Sequence, residues 1–225
     1  MVLLQHENTD NQATANQMIG VNSFIALTKN PADFTALYDI DAVLRQTPLA
    51  TISLDYLKTQ SGMAEIIQER YLAPVPDIDE LLSYPQDSLG YVFASHLKGN
   101  GFAPVFYRQI AVQDDITYIT LRRSQTHDIH HIITGFGTDL AGEIGLQAFE
   151  LAQMRSPLAI ALLASGIVNT LSSPDLLQQT MACIHEGWQM GSKAKPLMAQ
   201  KWEQHWEKSV AQWQAELEIE PIHTA

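Results

Sequence analysis

The sequence has one cysteine, Cys183, so no intramolecular disulfide can form and the chain fits a reducing compartment. In its apolar-rich helical context this residue is expected to be a small buried side chain. Positive charge is also scarce. Thirteen Lys+Arg stand against 25 Asp+Glu, a formal net charge of −12, which argues against a phosphate backbone as the main partner, and no nucleic-acid binding is expected. Long hydrophobic runs are missing as well: the most apolar stretch, LAIALLASGIV from Leu158 to Val168, is far shorter than the ~20 residues that cross a bilayer. It reads as a buried helix. The opening MVLLQHENTDNQATANQ has neither a basic start with an apolar core nor an Arg-rich pattern, so no secretion or transit signal is expected. The expected location is cytoplasmic, not secreted, and at most peripheral to a membrane.

What is present is a chain of 225 residues, 46 % of them hydrophobic, enough to bury a core in one domain. Residues 1–17 are expected to form a loose tail and 18–225 a single helical domain. Apolar residues recur at three- and four-residue spacing in MIGVNSFIALTKN, PADFTALYDIDAVLRQ and MAEIIQERYL, which predicts successive amphipathic helices, with Pro31 at a helix start. Pro74, Pro76 and Pro85 break the next segment into a loop around a short helix at Ile78 to Leu82. A helix from Ser88 should stop at Gly99-Asn100-Gly101. The following PVFYRQIAVQDDITYITLRRS, rich in β-branched and aromatic residues, predicts an extended connection or short hairpin, with helix resuming at Gln125. Pro174 and Pro196 should open two more helices, the last running through PLMAQKWEQHWEKSVAQWQAEL. The fold class is therefore all-α, a multi-helix bundle.

One stretch carries chemistry: THDIHHIITGFGTDLAGEIG, from Thr126. At ~100° per helical residue, His131 falls ~40° and Asp128 ~100° from His127, on one arc, while His130 lies ~60° to the other side and reads as exposed or supporting. Glu143 would lie ~18 Å beyond His131 on an unbroken helix, so it can join them only if the chain reverses. Gly135 to Asp139 supply that reversal, with glycine tolerating positive φ and Thr138 or Asp139 capping a second helix. Gly137 is the midpoint between His131 and Glu143. Two imidazoles with two carboxylates suit Zn²⁺, with Fe²⁺ or Mn²⁺ as alternatives and Mg²⁺, which favours oxygen throughout, behind them. Asp128 is one methylene shorter than the glutamate base of HExxH metalloproteases, so it reads as a ligand or an orienting group. Spacing alone leaves open both a helical-hairpin metal site and unrelated polar residues on two solvated helices.

The whole string, His127-Asp128-x-x-His131, eleven residues, then Glu143, resembles the HDxxH-x(11)-E signature of the coenzyme Q assembly family, the fourth of the numbered coenzyme Q proteins. PDIDELLSYPQDSLGYVFASHLKGNGFAP, GTDLAGEIGLQAFELAQ and the closing helix are similar to the family's corresponding segments. The likeness covers about Val21 to Ile219. It implies an all-α fold, a divalent metal held by His127, Asp128, His131 and Glu143, and an isoprenoid-lipid pocket at a membrane-facing surface. Family members are described both as organisers of a ubiquinone-biosynthetic complex and as enzymes of oxidative decarboxylation at ring C1. The absence of a mitochondrial targeting segment suggests a bacterial-type relative.

The resemblance thus implies a metal-containing protein that acts on or presents a prenylated quinone precursor. An apolar tunnel or groove between Phe24 to Leu44 and Leu158 to Leu171 would hold the isoprenoid. Other quinone-biosynthetic enzymes are expected partners, and a homo-oligomer is expected. A carrier without catalysis is the alternative; a metal-dependent phosphohydrolase built on the His-Asp pair, with His96 and Asp139 or Asp175, ranks below both. Arg122 and Arg123 are candidate contacts for a carboxylate or phosphate of the ligand, or surface ion-pair partners. Trp202, Trp206 and Trp213 are expected to form one helical stripe packed on the core, with a membrane-interface belt as the other reading. Given the acidic charge, membrane-surface contact should be local and apolar.

Overall fold

A computed structural model describes residues 2–105, 107–172 and 174–222, with side chains from Thr14 onward. Eleven α-helices appear among the described residues: α1 Val2–Lys29, α2 Phe34–Leu44, α3 Pro48–Lys58, α4 Met63–Glu69, α5 Ile78–Leu81, α6 Leu89–Asn100, α7 Asp115–Thr134, α8 Leu140–Met154, α9 Pro157–Asn169, α10 Asp175–Lys193 and α11 Val210–Leu217. Short 3₁₀ turns occupy Thr170–Ser172, Leu197–Ala199 and Trp202–Gln204. No strand occurs among these residues beyond an isolated bridge between Ser88 and Ser209. The fold is all-α.

Local chemistry sets the helix starts. Asp33, Ser88, Asp139 and Ser156 each turn a side-chain oxygen onto a free backbone N–H of the first turn, and Pro48 and Pro157 occupy first helical positions. Pro31 lies in the connection before α2 rather than at its first position, because Asp33 caps that helix. Gly101 ends α6 in the left-handed conformation, as the Gly-Asn-Gly stop predicts.

The main core surrounds Phe93, Leu97, Ile129, Ile133, Phe149, Trp202 and Trp213. A second cluster joins Leu57, Met63 and Ile67 to Tyr118 and Met198, and a third joins Leu27, Ala36 and Ile40 to Leu158. Helices α8 and α10 approach unusually closely: a Cβ added at Gly187 would stand 2.1 Å from the Gly145 carbonyl oxygen. Only glycine allows that contact. Cys183 is a free, half-buried thiol beside the main core, and burial raises its pKa.

Two expectations are corrected. Residues 115–124, read as extended, begin α7: Asp114 accepts a hydrogen bond from the Thr117 N–H while the Thr117 hydroxyl answers the Asp114 N–H, a reciprocal cap that outweighs the β-branched character of Ile116 to Thr120. The last helix is not continuous from Pro196. Its first part breaks into 3₁₀ turns because Leu89 and Gly90 at the start of α6 donate to the carbonyls of Lys208 and Trp206, pinning that backbone outside a helix. The tryptophans therefore form no single stripe, yet Trp202 and Trp213 are buried, with ring centroids 4.6 Å apart. The boundary expected at residue 17 lies inside α1; Met1 and the side chains of residues 2–13 fall outside the described residues.

Candidate metal centre

Helix α7 ends at Gly135, which has φ +79° and donates its N–H to the His131 carbonyl at 2.9 Å. A Cβ there would stand 2.4 Å from the Ile222 carbonyl oxygen, so neither the turn nor its surroundings admit a side chain. Four residues later Asp139 caps α8, accepting from Ala141 N and Gly142 N at 2.9 and 3.1 Å. Glu143 thereby falls in the first turn of α8, where a carboxylate is favoured by the helix dipole. The reversal anticipated around Gly137 is formed.

It brings His127, His131 and Glu143 together, with one donor atom from each inside 4.8 Å of the others. The two Nε2 atoms are 3.2 Å apart, and Glu143 lies 3.3 Å from His131 Nε2 and 3.6 Å from His127 Nε2. Ligands bound at ~2.0–2.1 Å in a tetrahedron are separated by ~3.3 Å along each edge. The 3.2 Å between the two Nε2 atoms and the 3.3 Å from His131 Nε2 to Glu143 Oε1 match such edges, while the 3.6 Å from His127 Nε2 runs to Oε2 of the same carboxylate. His131 Nδ1 stands 3.0 Å from the Phe136 carbonyl, to which only an N–H can donate, so the ring proton belongs on Nδ1 and the Nε2 lone pair faces inward. Two imidazole nitrogens and a carboxylate are a donor set suited to Zn²⁺ or a similar divalent ion.

Electrostatics favour positive charge at the same point. Burial opposes protonation of His127, but the carboxylates of Glu143 and Glu150 outweigh it and raise the pKa to about 10. Burial would raise the pKa of Glu143, whereas the two histidines pull it down to about 2. A proton or a cation satisfies this field.

Asp128 is placed differently. One residue along the helix turns it by ~100°, and its buried carboxylate faces His96 Nε2 of α6 at 3.9 Å, outside the converging trio. His130 is fully buried rather than exposed, with Nδ1 3.7 Å from Glu150 Oε1. Glu150 escaped sequence reasoning, although it follows Glu143 by seven residues, two turns along the same face of α8. Arg122 is fully buried, paired with Glu203 and the Gln200 carbonyl beneath the Tyr71 ring. Arg123 pairs with Glu150 at 2.6 Å and lines a cavity.

That cavity, about 500 Å³, opens directly on His127 and Glu143. Its walls combine apolar residues Phe34, Leu37, Leu140, Ile144 and Leu162 with Tyr38, Gln147 and Asn169. They come from the α1–α2 connection, α2, α7, α8 and α9; of these only the α1–α2 connection, α2 and α9 fall in the segments expected to border an isoprenoid, and α7 and α8 add the walls that carry the histidines and Glu143. No described helix is long and apolar enough to cross a membrane.

Fold and site together define an all-α protein with a His-His-Glu group, able to hold a metal, at the head of a largely apolar cavity. Residues 7–223 match the family described as "Coenzyme Q (ubiquinone) biosynthesis protein Coq4", and the chain belongs to that family. It is 31 % identical over 179 residues to the mitochondrial ubiquinone biosynthesis protein COQ4 of Saccharomyces cerevisiae (strain AWRI1631), covering 75 % of this chain and 52 % of the yeast protein. The mitochondrial COQ4 homolog of Aedes aegypti is 25 % identical over 196 residues, 82 % of this chain and 70 % of the mosquito protein. The chain spans about half the length of the yeast relative. A crystal structure of a candidate ubiquinone biosynthesis protein from Nostoc punctiforme PCC 73102 has a TM-score of 0.81 and 34 % identity, covering 90 % of this chain and 97 % of that one.

Proposed function

We propose that this protein binds a divalent cation through His127, His131 and Glu143 and holds a prenylated quinone precursor in the adjoining cavity. The opening of the three donor groups onto a largely apolar, partly polar space is the observation that carries this reading. Each isoprenoid CH₂ transferred from water to such walls contributes about 0.8 kcal/mol, so a few prenyl units give firm binding. Arg123, Gln147 and Tyr38 line the same space and supply polar contacts for a ring head group. The apolar walls keep bulk water from the head group, and the hydrogen bond from His131 Nδ1 to Phe136 holds that imidazole in the orientation metal binding requires.

A divalent ion at this site supplies Lewis-acid polarisation of a ring carboxylate or phenolate oxygen. Zn²⁺ is the proposed ion, and the proposed reaction is oxidative decarboxylation at ring C1, in which the carboxyl would leave as CO₂, a hydroxyl from water would take its place, and dioxygen would accept the electron pair and leave as hydrogen peroxide, the ion itself staying redox-inert. The signature offers Asp128 as a fourth ligand; its carboxylate faces His96 and would have to turn toward the ion, and Asp128→Ala tests this through Zn²⁺ affinity. The phosphohydrolase reading is disfavoured by Asp139, whose carboxylate serves as the cap of α8. Exposed apolar residues Met18, Val21 and Ile25 follow one stripe of α1, and we assign this stripe to local contact with a membrane surface. Partner quinone-biosynthetic enzymes and a second copy of the chain are proposed to meet other faces.

The test combines elemental analysis and lipid mass spectrometry of the native protein with CO₂ release from a prenylated hydroxybenzoate under air. Stoichiometric metal, bound prenyl lipid and CO₂ release lost in His127→Ala are expected. Lipid and metal without CO₂ would make the protein a carrier, and neither metal nor lipid would overturn the proposal.

A further inference from the structure

Both histidines of the trio present Nε2 to the shared point, so each must carry its proton on Nδ1 when Nε2 binds a cation. His131 directs that proton at a backbone carbonyl. His127 Nδ1 is buried with no hydrogen-bond partner and faces Glu150 Oε1 at 3.9 Å. Glu150 is itself almost fully buried, and its Oε1 is likewise unpartnered. Its other oxygen is fixed: Arg123 Nε donates to Oε2 at 2.6 Å while Arg123 Nη2 donates to Gln147 Oε1 at 3.1 Å. The buried His130 turns Nδ1 toward the same free oxygen at 3.7 Å.

Resting on the metal reading above, we propose that Glu150 is a positioning residue of the metal centre, clamped by Arg123 so that its free oxygen receives the Nδ1–H of His127. A carboxylate behind an imidazole ligand fixes the tautomer and ring angle and makes the metal-facing nitrogen more basic. The guanidinium 2.6 Å from Glu150 rules out the competing assignment of a second cation between Glu150, His127 and His130. Because Arg123 and Gln147 also line the cavity, the clamp joins the ligand space to the metal centre without touching the ion.

Glu150→Gln is the discriminating variant. Arg123 requires an acceptor, so the Gln carbonyl turns to it and the amide NH₂ faces His127 Nδ1–H, donor against donor. Zn²⁺ affinity, measured on the full chain by competition with a chromogenic chelator, should fall about 10–100-fold, and the visible bands of the Co²⁺ form should shift. A folded Glu150→Gln protein with affinity within twofold of the parent and unaltered cobalt bands would overturn the inference, whatever happens to its unfolding midpoint. If that variant does not fold, Arg123→Lys, which cannot grip Oε2 and Gln147 together, should weaken Zn²⁺ about 3–10-fold. Unchanged affinity there counts equally against the proposal. Full Zn²⁺ retention by His131→Ala would instead refute the metal centre itself, a result separable from either of these.

Discussion

Replacing Glu143 by Gln keeps the shape of the trio and removes one charge. Burial opposes a second proton on His127, yet the carboxylates of Glu143 and Glu150 raise its pKa from 6.5 to about 10, a preference of about 5 kcal/mol for one positive charge at that ring. Glu143 and Glu150 share this preference, and the Glu143 side chain is 38 % exposed, so solvent screening reduces its part to about 1–2 kcal/mol. A divalent ion doubles the charge and hence the loss, to about 2–4 kcal/mol, roughly 30- to 1,000-fold in affinity. Chelator competition with Zn²⁺ at fixed pH and salt reads this directly, with circular dichroism confirming that the helices remain. A folded Glu143→Gln protein whose Zn²⁺ affinity drops less than threefold would show that the carboxylate is not coupled to a cation here.

Since the carboxylates of Glu143 and Glu150 raise the His127 pKa to about 10, the metal-free ring is an imidazolium at pH 7, and Zn²⁺ uptake there should release about one proton and weaken as pH falls; calorimetry in buffers of different ionisation enthalpy measures the count. Gly187→Ala, forcing a methyl within 2.1 Å of a backbone oxygen, should cost about 2–4 kcal/mol in urea unfolding of the metal-free protein. Arg122→Met leaves Glu203 buried without its partner and should destabilise by about 3–5 kcal/mol in the same assay, whereas a loss below 1 kcal/mol would mean that water reaches the carboxylate.

The hairpin was readable because each of its parts has a local cause: Gly135 needs no neighbour to favour positive φ, and Asp139 caps α8 with atoms three residues away or fewer. His131 and Glu143 meet as their spacing about Gly137 implies. The start of α7 misled through Ile116 to Thr120, whose β-branched side chains suit strands; the Asp114 and Thr117 pair beside them was the stronger signal. The break after Pro196 was invisible for another reason. It depends on backbone bonds from Leu89 and Gly90, more than a hundred residues earlier in the chain. Asp128 shows the limit of projecting a helix onto a wheel, because an arc of ~100° spans two neighbouring faces, and α6 claims one of them. Glu150 could be found by its two-turn offset from Glu143, yet nothing in one sequence distinguishes a carboxylate clamped in the interior from one in water.

Where α8 meets α10 at Gly145 and Gly187, backbone lies against backbone with no flexible side chain to yield. Sliding either rod along its axis would drive peptide groups into one another, so Glu143 rides on a rail that cannot be shortened or lengthened to suit a guest. Any change in the width of the cavity must come from the opposite wall, where the exposed Phe34 borders the space on a side chain that can change rotamer. A change of side chain at Phe34 would then reshape the entrance of the cavity while leaving the spacing of His131 and Glu143 untouched.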